Sequence, residues 1–358
     1  MRIVWVLFAS CTAPPSSDSE SDSGAPPDAG GSGADPTVPT DPSKNPLDPL
    51  PVGVWSYFEL PGMTCGNGTP VGIGVNPGTD PDLVAVYLQG GGACWDWWTC
   101  IALPDTATNV NDTYGQALFD SEIALVDASG LTDRTRDVRL AGATWMYVPY
   151  CTGDLHAGDR TTAYDPFQPG LPTHHAGDRN LRIALDWLSS RTAEATTIRV
   201  IGVSAGGFGA QLQAVAFAEA WPGADLAILA DGAPLVEPAP GVWGTWSAAW
   251  AMDCPGCAAT PTEVIPAALA VAPDLRFGLI TWSEDPTIGL FFGVLGAMAP
   301  KVEALSAEIY ADPNHSMFRL VGLDHGMLDT PDDLVAPDGT VLRDWVDAWV
   351  DGPVADVR

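Results

Sequence analysis

Short apolar runs alternate with amphipathic segments from about residue 50 to the end of the chain. The runs are rich in Val, Ile and Leu and are bounded by glycine or polar turns, a pattern typical of buried strands. Strands are predicted at residues 54–60, 71–75, 83–88, 144–148, 197–203, 226–230, 277–282 and 318–323, the first two as a hairpin.

Apolar side chains at helical spacing predict helices between these strands. They are expected at residues 178–190, directly after Ser204 with Phe208, Leu212, Val215 and Ala216, and near the end with Leu342, Trp345, Val346 and Trp349. Strands alternating with helices predict an α/β fold for residues 51–358, with a mostly parallel sheet covered by helices on both faces.

The N-terminal part of the chain has a different composition. Residues 12–50 consist mainly of Ser, Pro, Gly and Asp and hold almost no large apolar side chain. Such a segment cannot bury enough surface to offset the entropy lost on ordering, so we expect a disordered linker that tethers the domain.

Residues 1–11 contain Arg2 and a short apolar run at 3–9. The run is too short to span a bilayer and resembles an abbreviated secretory signal. Leu7-Phe8-Ala9-Ser10-Cys11 resembles a bacterial lipobox, in which the cysteine is lipidated. Three interpretations stay open: a lipoprotein anchored through Cys11, a secreted protein, or a misassigned start codon. We expect a secreted or cell-surface protein that contacts a membrane only through such an anchor.

The chain is strongly acidic, with 45 acidic residues against 15 basic ones and a formal net charge of −30. A surface of this sign repels phosphate backbones and anionic membranes, so we expect no nucleic-acid partner. The acids are scattered rather than clustered, which favours a role in solubility. We expect a monomer.

Six cysteines remain when Cys11 is set aside, and they support export because disulfides persist in oxidising compartments. Cys254-Pro-Gly-Cys257 has a spacing also found in zinc and redox sites, but no second CxxC or histidine pair accompanies it. A disulfide within this loop is the favoured interpretation, and no metal or cofactor is expected.

The clearest chemical signal is Gly202-Val203-Ser204-Ala205-Gly206, between a β-branched strand and an amphipathic helix. This is the setting of a nucleophile elbow, a sharp turn that needs small neighbours and presents a serine hydroxyl at a helix N-terminus. We therefore interpret Ser204 as a nucleophile. An ordinary glycine-rich turn is the alternative; a phosphate loop fits less well because no lysine follows.

An elbow predicts an acid and then a histidine downstream, each just past the C-terminal end of a strand. Only His315 and His325 follow Ser204. His325 comes after the predicted strand 318–323 and is the candidate base, whereas His315 precedes that strand and is interpreted as a turn residue.

Three aspartates are candidates for the acid. Asp285 follows the penultimate strand, where this fold most often places its acid, and Asp231 follows the preceding strand. Asp324 adjoins the histidine, but its side chain should point away from the Nδ1 side of the ring. Asp285 is favoured, with Asp231 as the alternative, and a loop aspartate bonded to local backbone is the non-catalytic interpretation of either.

A tetrahedral intermediate needs N–H donors for its oxyanion. The N–H of Ala205, directly after the nucleophile, is one candidate. Gly90-Gly91-Gly92 follows an earlier strand and is the expected second source, because glycine amides can approach a substrate with no Cβ in the way. A plain tight turn is the alternative.

Together these residues resemble the pectin acetylesterase and Notum-like carboxylesterase family. The matching segments are Gly90-Gly91-Gly92-Ala93-Cys94, Pro149-Tyr150-Cys151-Thr152-Gly153-Asp154, Gly202 to Gly207, Ala230-Asp231-Gly232 and Asp324-His325-Gly326. They occur in the same order across nearly all of the globular part.

The resemblance implies an α/β-hydrolase fold in which Ser204, Asp285 and His325 form the triad and Gly91, Gly92 and Ala205 donate to the oxyanion. It also implies disulfides Cys94–Cys100, Cys65–Cys151 and Cys254–Cys257. Two segments depart from the family pattern: Ala93 follows the glycines where tryptophan is frequent, and Ser283-Glu284-Asp285-Pro286 matches loosely.

The predicted activity is hydrolysis of a carboxylic ester, with acetylated polysaccharide favoured and lipid or small esters as alternatives. A serine peptidase on the same fold and a catalytically silent carbohydrate-binding surface protein are the competing functions. Six tryptophans either contact the substrate or pack the core and disulfides: Trp95, Trp97, Trp98, Trp243, Trp246 and Trp250.

Overall fold

The computed structural model describes residues 47, 50–135, 139–168 and 170–357. The predicted signal segment with Cys11 and nearly all of the predicted linker lie outside these residues. The strands are β1 Ser56–Thr64, β2 Pro70–Asn76, β3 Leu83–Leu88, β4 Thr144–Val148, β5 Arg160–Thr162, β6 Thr173–His175, β7 Thr197–Val203, β8 Asp225–Asp231, β9 Arg276–Trp282 and β10 Ser316–Leu320.

Eight of these strands form one sheet in the order β1-β2-β4-β3-β7-β8-β9-β10, and β5 pairs with β6 separately. β2 pairs antiparallel with β1 and with β4, and the remaining pairings in the large sheet are parallel. The predicted mostly parallel α/β-hydrolase-type sheet is confirmed. Because parallel strands end at the same side of a sheet, the segments after β3, β4, β7, β8, β9 and β10 gather there.

Most predicted strands lie within a residue or two of the observed ones, and β3, β4 and β7 have the predicted bounds. The strand predicted at 318–323 instead spans Ser316–Leu320. Val321 and Leu323 are 87% and 78% exposed and belong to the loop that leads to His325. Their apolar character made this loop resemble a continuation of the strand.

The helices are α1 Gln116–Ala128, α2 Gly177–Ser189, α3 Ala205–Leu212, α4 Ala214–Ala220, α5 Val242–Trp250, α6 Val264–Val271, α7 Pro286–Phe291, α8 Met298–Glu308 and α9 Leu342–Asp351. The single helix predicted after Ser204 is divided into α3 and α4. The division occurs at Gln213, where the backbone leaves helical geometry with φ −98° and ψ 13°.

The core lies on both faces of the sheet. Nearly all residues of β3, β7 and β8 are buried, and successive strand side chains point to opposite faces, so both faces must be covered. α9 covers one face through Trp345 and Trp349, which cluster with Ile201, Leu229 and Ile280. α3 packs along β3, β7 and β8, and this packing holds the start of α3 at the end of β7.

Three disulfides join Cys65 to Cys151, Cys94 to Cys100 and Cys254 to Cys257. These are the pairings that the family resemblance implies. Structural disulfides persist in oxidising compartments, which indicates an extracytoplasmic location. Across the described residues, no helix combines the length and apolar character needed to cross a bilayer.

Candidate active site

Ser204 lies in the turn between β7 and α3 with φ 54° and ψ −122°. Non-glycine residues rarely adopt a positive φ, and this strained backbone is expected of a nucleophile elbow. The turn needs glycine on both sides. A Cβ at Gly202 would lie 2.1 Å from the carbonyl oxygen of Gly206, and a Cβ at Gly206 would lie 2.0 Å from that of Leu88.

His325 reaches Ser204 from the loop after β10. Its Nε2 lies 2.8 Å from Ser204 Oγ, a normal hydrogen-bond distance. The imidazole is 23% exposed, so a substrate can approach it. His315 lies elsewhere: it is buried before β10, and its Nδ1 accepts the N–H of Phe277 at 3.2 Å. The structure thus brings His325, and not His315, to Ser204.

Asp285 lies three residues beyond the end of β9 and is fully buried. Its Oδ2 is 2.7 Å from Nδ1 of His325. Its Oδ1 accepts the N–H groups of Thr287 and Ile288 at 2.9 and 3.0 Å, which caps α7. One oxygen is therefore fixed by the helix, which directs the other at the imidazole.

Burial by itself lowers the pKa of His325. The hydrogen bond and charge of Asp285, together with the charges of Asp231 and Asp324, outweigh burial and raise the net pKa above its usual value. A more basic imidazole holds a proton taken from a hydroxyl more firmly, which suits a general base.

Asp231, the alternative acid, hydrogen-bonds the backbone of the histidine loop, whereas Nδ1 of the ring is bonded to Asp285. Its Oδ2 accepts the N–H groups of Met327 and Leu328, both at 2.8 Å. Its backbone carbonyl accepts the N–H of Ser204 at 2.7 Å. Asp231 therefore links the elbow to the loop that carries His325, a role that the sequence analysis does not identify.

The carboxylate of Asp231 is fully buried, and its Oδ1 has no hydrogen-bond partner among the described residues. Burial raises its pKa to about 6, against the opposing effect of the two N–H donors. Asp324 bonds locally, since its Oδ1 accepts the N–H of His325 at 2.9 Å. As predicted, Asp324 is not the partner of Nδ1.

The loop Gly90-Gly91-Gly92 packs directly against the elbow. A Cβ at Gly90 would lie 2.3 Å from the carbonyl oxygen of Val203 and 3.1 Å from Cβ of Ser204. Gly91 and Gly92 have φ 146° and 76°, a backbone that favours glycine. The close approach places the glycine loop beside Ser204.

Other groups of this loop form the hydrogen bonds that fix it. Gly91 O accepts from Thr108 N at 2.7 Å, and Ala93 N donates to Thr106 O at 3.0 Å. Neither bond uses the N–H of Gly91 or of Gly92. These two amides, with the N–H of Ala205 at the start of α3, are available to bind an oxyanion.

Tyr150 supports the glycine loop from inside the protein. Its hydroxyl donates to Gly92 O at 2.9 Å and accepts the N–H of Leu155 at 3.0 Å, while its own N–H donates to Gln89 Oε1 at 2.7 Å. Burial raises the pKa of Tyr150 far above its usual value, so the hydroxyl stays protonated. Its only sequence signal is its place in a segment that matches the family.

An aromatic wall beside the glycine loop is formed by the partly exposed rings of Trp95 and Phe291, with the buried Trp246 packed behind them. The ring centroids of Trp95 and Trp246 are 5.1 Å apart, and those of Trp95 and Phe291 are 6.3 Å apart. Phe291 Cζ would lie 3.4 Å from a Cβ at Gly92. An apolar surface beside N–H donors suits a small acyl group or the face of a sugar.

The other tryptophans divide between two roles. Trp243 and Trp250 are buried on α5, where their Nε1 groups donate to Cys257 O at 2.8 Å and Cys94 O at 2.7 Å. They pack against the disulfides. Trp98 is 64% exposed and contacts Trp97 edge-on with centroids 4.8 Å apart, so this pair forms a surface for contacts outside the core.

One group of side chains has metal-ligand spacing within the described residues: Cys94, Cys100 and His175. The two sulfurs are bonded to each other and cannot act as thiolates. The nitrogens of His175 lie 2.9 Å from Thr152 O and 2.9 Å from Tyr164 Oη. This group is therefore used for structure.

Comparisons with known proteins agree with this geometry. The pectinacetylesterase family model matches residues 56–237, about half of the chain. The match includes the glycine loop, Tyr150 and Ser204 and stops before Asp285 and His325. A comparison with curated proteins found no match. The family match implies esterase activity, and the chain belongs to the pectinacetylesterase family.

Proposed function

We propose that the chain is a serine esterase that removes acetyl groups, with Ser204 as nucleophile, His325 as general base and Asp285 as the acid that orients it. Two hydrogen bonds carry the proposal: Ser204 Oγ to His325 Nε2 at 2.8 Å and His325 Nδ1 to Asp285 Oδ2 at 2.7 Å. The chain order of serine, acid and histidine is the one used by α/β hydrolases.

In the proposed mechanism, Ser204 Oγ attacks the acetyl carbonyl carbon while its proton moves to Nε2 of His325. The N–H groups of Gly91, Gly92 and Ala205 stabilise the oxyanion. The intermediate collapses as the C–O bond to the alcohol breaks, and the alcohol leaves with the proton from Nε2. Water, deprotonated by the same nitrogen, then attacks the acetyl carbon. The bond from this carbon to Ser204 Oγ breaks, Oγ takes the proton back from Nε2, and acetate is released.

Acetylated polysaccharide is the proposed substrate class. Trp95 and Phe291 of the aromatic wall are partly exposed beside the glycine loop, and aromatic rings stack on the apolar faces of sugars. The name of the family also denotes an acetylated polysaccharide. The mechanism as written needs no metal or cofactor.

Export is the second part of the proposal. It is supported by the three disulfides and by the signal-like residues 1–11. The proposal includes attachment of lipid to Cys11. Radiolabelled palmitate should enter the wild-type protein in cells and should not enter Cys11→Ser. Equal labelling of the two would contradict an anchor at this cysteine.

Ser204→Ala tests the nucleophile. The variant should lose turnover of p-nitrophenyl acetate by about 10⁴-fold or more, with thermal unfolding nearly unchanged. A fluorophosphonate probe should label the wild type and not the variant. Ser121→Ala, an exposed serine on α1, is the matched control and should keep full activity and labelling. Turnover retained in Ser204→Ala would overturn the assignment.

A further inference from the structure

His156 is a buried histidine that the proposed mechanism does not use. The residue is 2% exposed and lies shortly after Tyr150, in the segment between β4 and β5. Its Nε2 is 2.9 Å from the backbone carbonyl oxygen of Gln89, the residue directly before the glycine loop. Because a carbonyl oxygen can only accept, Nε2 must carry the proton of this hydrogen bond.

The imidazole of His156 is kept neutral. Burial lowers its pKa to about 4, against the opposing effect of the hydrogen bond to Gln89 O. Near neutral pH the ring therefore has one N–H, and the carbonyl of Gln89 fixes this N–H at Nε2. His156 is a fixed hydrogen-bond donor, in contrast to His325, whose pKa is raised.

The carbonyl oxygens along the glycine loop accept hydrogen bonds from inside the protein. Gln89 O accepts from His156, Gly91 O accepts from a backbone N–H at 2.7 Å, and Gly92 O accepts from the hydroxyl of Tyr150 at 2.9 Å. A carbonyl held in this way fixes the plane of its peptide group, and with it the direction of the N–H on the next residue. His156 therefore fixes the first peptide plane of the loop.

His156 also contacts α3, the helix that begins at Ala205. A Cβ at Gly209 would lie 2.9 Å from both Cβ and Cδ2 of His156, so glycine at this turn of the helix leaves room for the imidazole. The side-chain amide of Gln213 donates to His156 O at 2.9 Å. The imidazole thus lies between the glycine loop and α3, the two elements that carry the proposed oxyanion donors.

The backbone at His156 has an unfavourable conformation. Leu155 and His156 have φ 56° and 55°, a region that Ser204 shares. Just before them, the buried carboxylate of Asp154 accepts the N–H of Gly177 at 2.7 Å, which ties the segment to the start of α2. Strained residues persist only where surrounding contacts hold them, and they concentrate at functional sites. The strain at His156 therefore indicates a role beyond packing.

We infer that His156 is a positioning residue for the oxyanion site, whose Nε2–H holds the carbonyl of Gln89 and keeps the glycine loop in place to receive the developing negative charge. The inference rests on the proposed serine-esterase mechanism and adds a residue to it. A misplaced donor stabilises the transition state less and still permits substrate to bind. Loss of this hydrogen bond should therefore lower kcat and leave KM nearly unchanged.

The test is His156→Phe, which keeps an aromatic ring and removes the donor. With p-nitrophenyl acetate, we expect kcat to fall roughly tenfold to 100-fold and KM to stay within about twofold. A boronic acid that forms a tetrahedral adduct with Ser204 should bind more weakly by a similar factor. His156→Gln has an amide donor of similar reach and should recover most of the lost kcat and affinity.

His315→Phe is the matched control, because His315 is also buried but accepts the N–H of Phe277 near the start of β9. This variant should have a lower unfolding temperature and an unchanged kcat. A kcat of folded His156→Phe within about twofold of wild type would overturn the inference. A Gln variant no more active than the Phe variant would also overturn it, since the donor would then have no effect of its own.

A measurement on the wild type does not depend on how the variants fold. In protein labelled with ¹⁵N-histidine, NMR spectra should show His156 as a neutral ring protonated at Nε2 from roughly pH 5 to pH 8. A proton at Nδ1, or a charged ring at neutral pH, would contradict the inference. Failure of the proposed function looks different, because turnover would then be absent from the wild type or would persist in Ser204→Ala.

Discussion

Two neighbouring strands, β8 and β9, each end close to a fully buried aspartate. Asp231 is the last residue of β8 and pairs in register with Val203 and Ile280, so its backbone is held in the sheet. Asp285 lies beyond the end of β9, outside the strand pairing. One carboxylate bonds the backbone of the histidine loop, and the other bonds the imidazole.

The comparison shows that burial near His325 does not by itself bring a carboxylate into a hydrogen bond with the imidazole. Here the carboxylate that bonds the ring belongs to a residue outside the strand pairing, and hydrogen bonds to its second oxygen hold it in place. In Asp285 this orientation comes from the N–H groups that open α7. The N–H groups that bond the carboxylate of Asp231 belong to the loop that carries His325. This carboxylate therefore fixes the loop backbone, and the imidazole bonds Asp285.

Asp285→Asn gives the largest expected difference between the two sites. The amide cannot support the imidazolium as a carboxylate does and favours the wrong tautomer, so kcat should fall by about 10⁴-fold. Steady-state kinetics with p-nitrophenyl acetate measures the loss. Asp231→Asn, with the same change of group, is the control and should stay within about tenfold of wild type. A larger loss at Asp231 would reverse the assignment of the two carboxylates.

The second expected difference between Asp231 and Asp285 is in how protein stability depends on pH. Burial raises the pKa of Asp231 to about 6 from its ordinary value of 3.8, so the folded state binds this proton more tightly than the unfolded state does. This favourable contribution is present at low pH and is lost as pH rises through about 6. The unfolding free energy of Asp231→Asn relative to wild type should therefore rise between pH 4 and pH 7, by about 3 kcal/mol or less.

Denaturant unfolding at several pH values measures this difference. A flat difference for Asp231→Asn would mean that its two N–H donors offset the cost of burial.

Much of the fold follows from local sequence pattern, and the site follows in part. Ser204, His325 and Asp285 come together at hydrogen-bond distances because each lies just past the end of a strand in a parallel sheet. This placement can be predicted from the order of the strands along the chain. The role of Asp231 depends on where the loop after β10 crosses the end of β8, a tertiary contact with no local signal.

Other features escaped prediction for physical reasons. α5 presents Trp243, Trp246 and Trp250 at helical spacing, but tryptophans beside the disulfides are equally compatible with a loop packed on the core. The paired strands β5 and β6 are three residues long each, too short for a period of two to be recognised. Tyr150 acts through a buried hydroxyl whose partner is a backbone carbonyl, which no sequence pattern specifies.

The smallest expected difference is a shift in the pH profile. Asp231 and Asp324 both raise the pKa of His325 through their charge. The proposed mechanism needs the neutral imidazole, so activity should appear as pH rises through this pKa. Removing the charge in Asp231→Asn should lower the pKa and move the acid limb of kcat/KM to lower pH, by roughly half a unit to one unit.

Asp324→Asn is the matched variant at an exposed position. Its shift should be smaller and should vanish in about 1 M salt, because salt screens exposed charges over about 3 Å while a buried charge is screened much less. The acid limb of Asp231→Asn should therefore stay displaced at high salt. If salt reduces the shift of the acid limb equally in the two variants, the carboxylate of Asp231 acts on His325 through solvent. Its burial at the end of β8 would then affect only the hydrogen bonds to the loop backbone.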